Sequence, residues 1–120
     1  MNVRPNRAAP ARATRVMVVD DSAVVRGLIA KQLDSEADLE VVCTAANGAL
    51  ALRELARHAI DVVVLDVEMP AMDGLTALPR MLAAYPGLRV IMVSTLTHRN
   101  AELSLKALQL GAADYVPKPE

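Results

Sequence analysis

Phenylalanine and tryptophan are absent from this 120-residue chain, and tyrosine occurs only twice. Any core must therefore be aliphatic. The aromatic platforms on which single-stranded nucleic acid stacks cannot be assembled, so nucleic acid is not an expected partner. A single cysteine excludes both a disulfide framework and a cysteine-rich zinc site, and it suits a reducing, cytoplasmic setting. Apolar runs end after four or five residues, too short for membrane insertion. An excess of charge of one sign is also lacking: the formal net charge is −1, with 53% hydrophobic and 22% charged residues. That is the balance of a globular chain, and its length fits one domain.

The small net charge hides an asymmetry. Residues 1–15 hold Arg4, Arg7, Arg12 and Arg15 and no acid, so the remaining 9 basic and 14 acidic residues leave the rest of the chain at −5. Pro5 and Pro10 break any amphipathic helix of the transit-peptide kind, and the apolar stretch of a secretory signal is missing. Residues 1–14 are expected to be a solvated, disordered basic arm, with anion binding as the alternative use. Residues 15–120 are expected to be the folded domain.

From Arg15 onward two periodicities alternate. Val16–Val19, Leu39–Thr44, Asp61–Asp66, Val90–Ser94 and Asp114–Val116 are short apolar runs of the kind buried in parallel sheets. Helical patterns lie between them. Ser22 or Asp21 caps a helix reaching about Leu33, with Val25, Leu28, Ile29 and Leu33 at helical spacing. Gly27 inside it costs about 1 kcal/mol relative to alanine. Asn47-Gly48 opens a second helix through Leu50, Leu52 and Leu55 to about Arg57. Gly74–Ala84 is a third, in which Pro79 removes one backbone donor. Ala101–Leu110 is a fourth, closed by a left-handed Gly111. Leu75, Leu78, Leu82, Leu105 and Leu108 are expected to face the core. Five strand–helix units, with a fifth helix missing from this chain, give an α/β, flavodoxin-like, doubly wound five-stranded parallel sheet of order 2-1-3-4-5. Ligands of such sheets bind outside the carboxyl ends of the strands, at the switch point between strands 1 and 3.

Strand 1 ends in Asp20-Asp21, and strand 3 ends in Asp66 with Glu68 two residues on. These carboxyls converge on one crevice. Without a counter-charge they repel and raise one another's pKa values; a divalent cation removes the conflict, and an all-oxygen set completed by water or phosphate favours Mg²⁺. Strand 4 ends in Ser94-Thr95, hydroxyls able to donate to a phosphoryl oxygen. Strand 5 is followed by Lys118, a cation on a flexible stem suited to neutralising phosphate. Together these residues form a set for holding Mg²⁺ and a phosphoryl group on one carboxylate. Asp66 is the best candidate, since a carboxylate can form an acyl phosphate.

Four blocks then carry a resemblance: VMVVDDS at 16–22, DVVVLDVEMPAMDG at 61–74, VIMVST at 90–95 and GAADYVPKP at 111–119. In order and spacing they resemble the response-regulator receiver domain over roughly residues 15–120. The resemblance implies a two-component phosphorelay in which a histidine kinase is the partner and Asp66 the phosphoacceptor. It implies Asp20 and Asp21 as the acidic pair, Ser94 as the switch hydroxyl, Tyr115 as the switch aromatic and Lys118 as the phosphate-contacting lysine. Mg²⁺ is then expected on Asp21, Asp66 and the backbone carbonyl of Glu68, with Asp20 acting through water. A cis Lys118–Pro119 bond would rest on the resemblance alone, since about 5–6% of X–Pro bonds are cis.

The phrases DVEMPAMDGLTAL, MVSTLT and SLKALQLGAADYVPKP further resemble the amino-terminal receiver of chemotaxis protein-glutamate methylesterases. This implies a carboxyl-terminal esterase domain as the output, with activity of the present chain limited to self-catalysed phosphorylation and dephosphorylation. A stand-alone receiver or a different output domain remains the alternative. Asp66-Val67-Glu68 also faintly resembles the D-x-D of Asp-nucleophile phosphohydrolases, but that family places it after the first strand. Other residues read as structural: His58 near the end of helix 2, His98 in the loop after strand 4, and Cys43 as a small hydrophobe on strand 2.

Overall fold

The computed structural model describes residues 12–95 and 97–119. Residues 1–11 of the arm expected over residues 1–14 lie outside the described residues; of its remainder, Arg12 pairs with Asp61 (3.4 Å) and Thr14 already belongs to the first strand. The elements run β1 (Thr14–Val19), α1 (Ala23–Asp34), β2 (Leu39–Ala45), α2 (Gly48–Arg57), β3 (Val62–Asp66), α3 (Gly74–Ala84), β4 (Arg89–Ser94), α4 (His98–Gln109) and β5 (Asp114–Pro117). All neighbouring strands are parallel, in the order β2-β1-β3-β4-β5. This is the flavodoxin-like doubly wound sheet. No helix among the described residues is long and apolar enough to cross a membrane.

Strand alternation divides the core. Met17 and Val19 of β1, Val63 and Leu65 of β3, and Val90 and Met92 of β4 pack with Ala51, Leu55, Ala77, Leu78, Met81 and Ala107 of α2, α3 and α4. Val16, Val18, Val64 and Val93 point the other way, towards Ile29 of α1. Among the described residues, three helices therefore cover one face of the sheet and one helix the other. On the α1 side, Ile29, Leu33, Val64, Ile91, Val93 and Val116 line an apolar groove of about 410 Å³ beside β5.

Every helix is opened by a side chain that accepts a third-residue N–H: Ser22 from Val25 (3.2 Å), Asn47 from Leu50 (2.9 Å), Asp73 from Thr76 (2.8 Å) and Thr97 from Asn100 (3.0 Å). The Thr97 cap starts α4 at His98 rather than Ala101, so His98 sits in the first helical turn and not in a loop. The inward face of α4 also differs from the expectation. Leu105 is 57% exposed, while Asn100, Ser104 and Ala107 are buried. The Asn100 amide donates to Thr95 at its carbonyl (3.2 Å) and hydroxyl (2.9 Å), which fixes the rotation of the helix and turns Leu105 outward. Leu28 of α1 is likewise exposed. Gly111 does carry a positive φ of 114°, and no cis peptide bond occurs among the described residues, Lys118–Pro119 included. A trans X–Pro bond is the lower-energy form and needs no special support.

Two glycines separate backbone need from backbone cost. A Cβ on Gly74 would overlap the Asp66 carbonyl oxygen, whereas one on Gly27 would meet nothing within 4 Å. Gly74→Ala is expected to lose about 1–3 kcal/mol in urea melts through overpacking. Gly27→Ala is expected to gain about 0.5–1 kcal/mol by removing helix-opposing entropy. Equal effects of the two substitutions would contradict this account.

Candidate functional site

Asp20 follows the last residue of β1 and stays tied to the sheet through its N–H, which donates to the Ala45 carbonyl (3.1 Å). Its Oδ1 accepts the Ser22 N–H at 2.9 Å, and the Arg26 guanidinium donates to its carbonyl at 2.8 Å. Asp66 is the last residue of β3. Both carboxylates are almost fully buried, 1% and 3% exposed. Lys118 reaches them from the end of β5, its own N–H fixed on the Ser94 carbonyl at 3.0 Å. Its Nζ lies 3.1 Å from Asp20 Oδ2 and 3.2 Å from Asp66 Oδ1. Asp66 Oδ2 is buried with no hydrogen-bond partner among the described residues. Exposed Asp21 completes a cluster in which one oxygen each of Asp20, Asp21 and Asp66 lie within 4.8 Å of one another.

The electrostatics follow from this packing. Burial and the Asp20 charge push the Asp66 carboxyl up to about 6, against the opposing pull of Lys118 and the Glu68 N–H. The Lys118 ammonium is held above its usual value, since the two carboxylates outweigh its own burial. One ammonium among three carboxylates leaves an anionic surplus and an orphaned buried oxygen. A hard divalent cation fits that donor set.

Of the residues singled out in the sequence, Asp20, Asp21, Asp66 and Lys118 are thus brought together. The Glu68 carboxylate is not; it pairs with exposed Arg99, Nε to Oε2 3.4 Å. Ser94 is buried at the end of β4, its Oγ 3.5 Å from the Ser104 hydroxyl. Half-buried Tyr115 lines a cleft of about 370 Å³ together with Ser94, Thr95, Thr97, His98 and Ala101. Behind the site the sequence reading missed Arg26, Asn100 and Ser104. The last two stand four residues apart and so share one face of α4. In the loop between β3 and α3, Ala71 has a φ of 65°, a region that residues other than glycine seldom adopt.

Comparison with known proteins bears on the family and the fold. The family model described as the response regulator receiver domain matches residues 16–120. A protein-glutamate methylesterase/protein-glutamine glutaminase 1 of Paramagnetospirillum magneticum is 60% identical over 114 residues, which is 92% of this chain and 30% of that protein. The chain thus spans about a third of that relative's length. The crystal structure of the response regulator domain of Thermotoga maritima CheB is similar with a TM-score of 0.82 and 40% identity, covering 91% of this chain and 81% of the other. The CheX-CheY-BeF3-Mg²⁺ complex from Borrelia burgdorferi contains a chain similar with a TM-score of 0.79 and 32% identity, covering 91% of this chain and 81% of that one.

The raised Asp66 pKa has a stability consequence. A carboxyl that titrates near 6 when folded and near 3.8 when free holds more protons in the folded state between those values. Stability contributed by the protonated form is therefore lost as the pH rises through that window. For the fully ionised group the loss corresponds to about 3 kcal/mol. With divalent cations chelated, Asp66→Asn is expected to be about 1–3 kcal/mol more stable than the parent in urea melts near neutral pH. The gap should close as the pH falls towards the free value; a gap independent of pH would contradict the burial argument.

Proposed function

The chain belongs to the response-regulator receiver family, and from that premise we propose that it accepts a phosphoryl group on Asp66 from the phosphohistidine of a histidine kinase, with Mg²⁺ at the acidic cluster. The observation that carries this reading is the Asp66 carboxylate itself: buried at a strand end, one oxygen on the Lys118 ammonium and the other without a partner among the described residues. The free oxygen is the natural attacking atom. Its bond to phosphorus forms as the phosphorus–nitrogen bond of the donor breaks, and the departing imidazole takes up a proton.

When bound, Mg²⁺ would neutralise phosphoryl oxygens next to the carboxylates; Asp21 and Asp66 would hold it directly, with the Glu68 carbonyl, and Asp20 through water. Lys118 already spans Asp20 and Asp66, so it can follow the negative charge as it moves onto the phosphoryl group. Ser94 would leave Ser104 and donate its hydroxyl to a phosphoryl oxygen. Inward movement of Ser94 opens the cleft it shares with Tyr115, which would let the aromatic ring change rotamer. Phosphorylation then acts as a population shift between two packings of the end of β4 and α4. Glu68 lies outside the cluster of Asp20, Asp21 and Asp66, and Asp66-Val67-Glu68 follows β3 rather than the first strand, which counts against the phosphohydrolase alternative.

The output we propose is a protein-glutamate methylesterase domain in the same polypeptide, on the strength of the 60% identity to a relative of which this chain covers 30%. The apolar groove beside α1 is the seat we propose for a fifth helix of the receiver domain. Ile29, Leu33, Val64, Ile91, Val93 and Val116 line it; Ile29, Val64 and Val93 are already buried, so such a helix would cover the surface still open on Leu33, Ile91 and Val116, worth about 25 cal/mol per Å² of apolar area.

Two measurements test the reading. Incubation with Mg²⁺ and a small acyl phosphate donor is expected to add one phosphoryl group, stable in acid and labile in base. Asp66→Asn should take up none, and Asp21→Ala should bind Mg²⁺ at least tenfold more weakly; undiminished labelling of Asp66→Asn would overturn the assignment. A polypeptide extended by about 20 native residues is expected to unfold at clearly higher urea than the 120-residue chain, because it buries the groove. Equal midpoints would remove the proposed helix seat.

A further inference from the structure

A second cluster of metal-binding atoms lies away from the acidic crevice, on the face covered by α2. The Cys43 thiol, a Glu54 carboxylate oxygen and a His58 imidazole nitrogen lie within 4.8 Å of one another, and all three residues are half-buried. Cys43 arrives there through an irregularity in β2. The register of β1 against β2 shifts between Val16 and Met17, which pair with Val41 and Cys43, so that Val42 is an extra residue. Before the shift, Leu39 and Val41 pack on the α1 side; after it, Cys43 packs on the opposite side with α2 and α3. A regular strand would have sent residues 39, 41 and 43 to one face. The bulge re-aims Cys43 at α2, a use to which bulges are commonly put near sites.

The other two groups are set by α2. Glu54 and His58 stand one turn apart on one face, with Nε2 of His58 3.3 Å from Oε1 of Glu54. Two ligands at about 2.0–2.1 Å from a tetrahedral zinc lie about 3.3–3.4 Å apart, so this pair already has the span of one tetrahedral edge. The outer contacts hold the ligands in place. Arg57 Nη1 lies 3.5 Å from Oε2 of Glu54, which leaves Oε1 facing the cluster. The His58 N–H donates to the Glu54 carbonyl at 3.0 Å, and the Arg15 guanidinium donates to the Ala59 carbonyl at 2.7 Å. A helix-surface ion pair explains Glu54 with His58 alone. It leaves unexplained why the only cysteine of the chain is turned by a bulge onto the same spot.

We propose that Cys43 Sγ, Glu54 Oε1 and a His58 imidazole nitrogen form a three-ligand site for Zn²⁺, with the fourth position open to water. The ligand types suit a borderline-soft cation and not Mg²⁺, which takes oxygen. Zn²⁺ replaces the thiol proton, which passes to solvent, and the sulfur binds as thiolate. Bound metal fastens the edge strand β2 to α2 and stabilises the folded chain. The site shares no residue with the acidic cluster and is independent of the phosphotransfer reading.

Co²⁺ is the probe that reports sulfur ligation, added to the full chain with Mg²⁺ in large excess to fill the acidic crevice. One equivalent is expected to produce a thiolate-to-cobalt charge-transfer band in the near ultraviolet, with tetrahedral d–d absorption, and Zn²⁺ should abolish both. His58→Gln and Glu54→Gln are each expected to weaken binding at least tenfold. Cys43→Ser should remove the charge-transfer band, and Asp66→Asn should leave it unchanged. Circular dichroism on each variant separates a lost site from a lost fold, and the partly exposed His58 side chain makes His58→Gln the safest of them. Absence of the charge-transfer band in the folded parent chain would overturn the proposal. So would a band that survives both His58→Gln and Glu54→Gln at unchanged affinity.

Discussion

The Lys118 ammonium, 3.1 Å from Asp20 and 3.2 Å from Asp66, is the contact on which the site depends. Two carboxylates buried at the ends of neighbouring strands would be strongly unfavourable without it, because charge taken out of water must be met by charge or by hydrogen bonds. Several features elsewhere serve to bring that ammonium there. β5 must lie at the edge of the sheet next to β4, so that the Lys118 N–H can bind the Ser94 carbonyl. Helix α3 must start close under Asp66, which only a residue without a side chain at position 74 allows. The compensation remains partial: Asp66 is still held near 6, and one of its oxygens has no hydrogen-bond partner among the described residues. A site left short of positive charge is one that a cation can complete.

The absence of large aromatics shapes how the core carries this site. Met17, Met81 and Met92 are fully buried, and their flexible thioethers fill space that rings would otherwise take. Small residues bring the helices close: Gly48, Ala51, Ala77 and Ala107 lie where α2, α3 and α4 meet the sheet and one another. At Gly48 a Cβ would meet Ala77 and Met72 at 2.9 Å. Behind Ser94 the interior turns polar, with Ser104 and Asn100 buried on α4. A hydroxyl facing another hydroxyl at 3.5 Å is weakly held. The same helix thus anchors the site through the Asn100 amide on Thr95 and faces Ser94 with the Ser104 hydroxyl.

The two clusters of ligand atoms differ in kind as well as in place. The acidic crevice is the product of topology: strand order alone brings Asp20 and Asp66 side by side at the switch point. The Cys43 cluster is the product of local irregularity, a one-residue slip in an edge strand that reverses which way a side chain points. Hard oxygen ligands gather where strands end, and a mixed sulfur, nitrogen and oxygen set gathers where a helix lies over the bulged edge.

Much of this was legible in the sequence, because the relevant signals are local. Short apolar runs alternating with helical spacing establish a parallel α/β sheet. Capping residues at 22 and 47, and Gly111, mark helix ends through hydrogen bonds made within a few residues, whereas the Asp73 cap of α3 came only with the structure. Acids directly after two strands, a hydroxyl after the fourth and a lysine after the fifth converge once the strand order is known. What the sequence could not decide is rotation and register, which are settled by contacts between distant segments. Leu105 reads as a core residue by spacing, but the Asn100 amide on Thr95 turns α4 so that Ser104 takes the inward place. Glu68 reads as a member of the acidic group, yet Arg99, thirty-one residues on, draws its carboxylate away. Cys43 reads as a small hydrophobe on a regular strand, and only the pairing of β2 with β1 reveals the slip that places it beside Glu54 and His58. Periodicity fixes which elements form, because it is carried by neighbours along the chain. Which face each side chain finally shows depends on partners the chain meets only after folding.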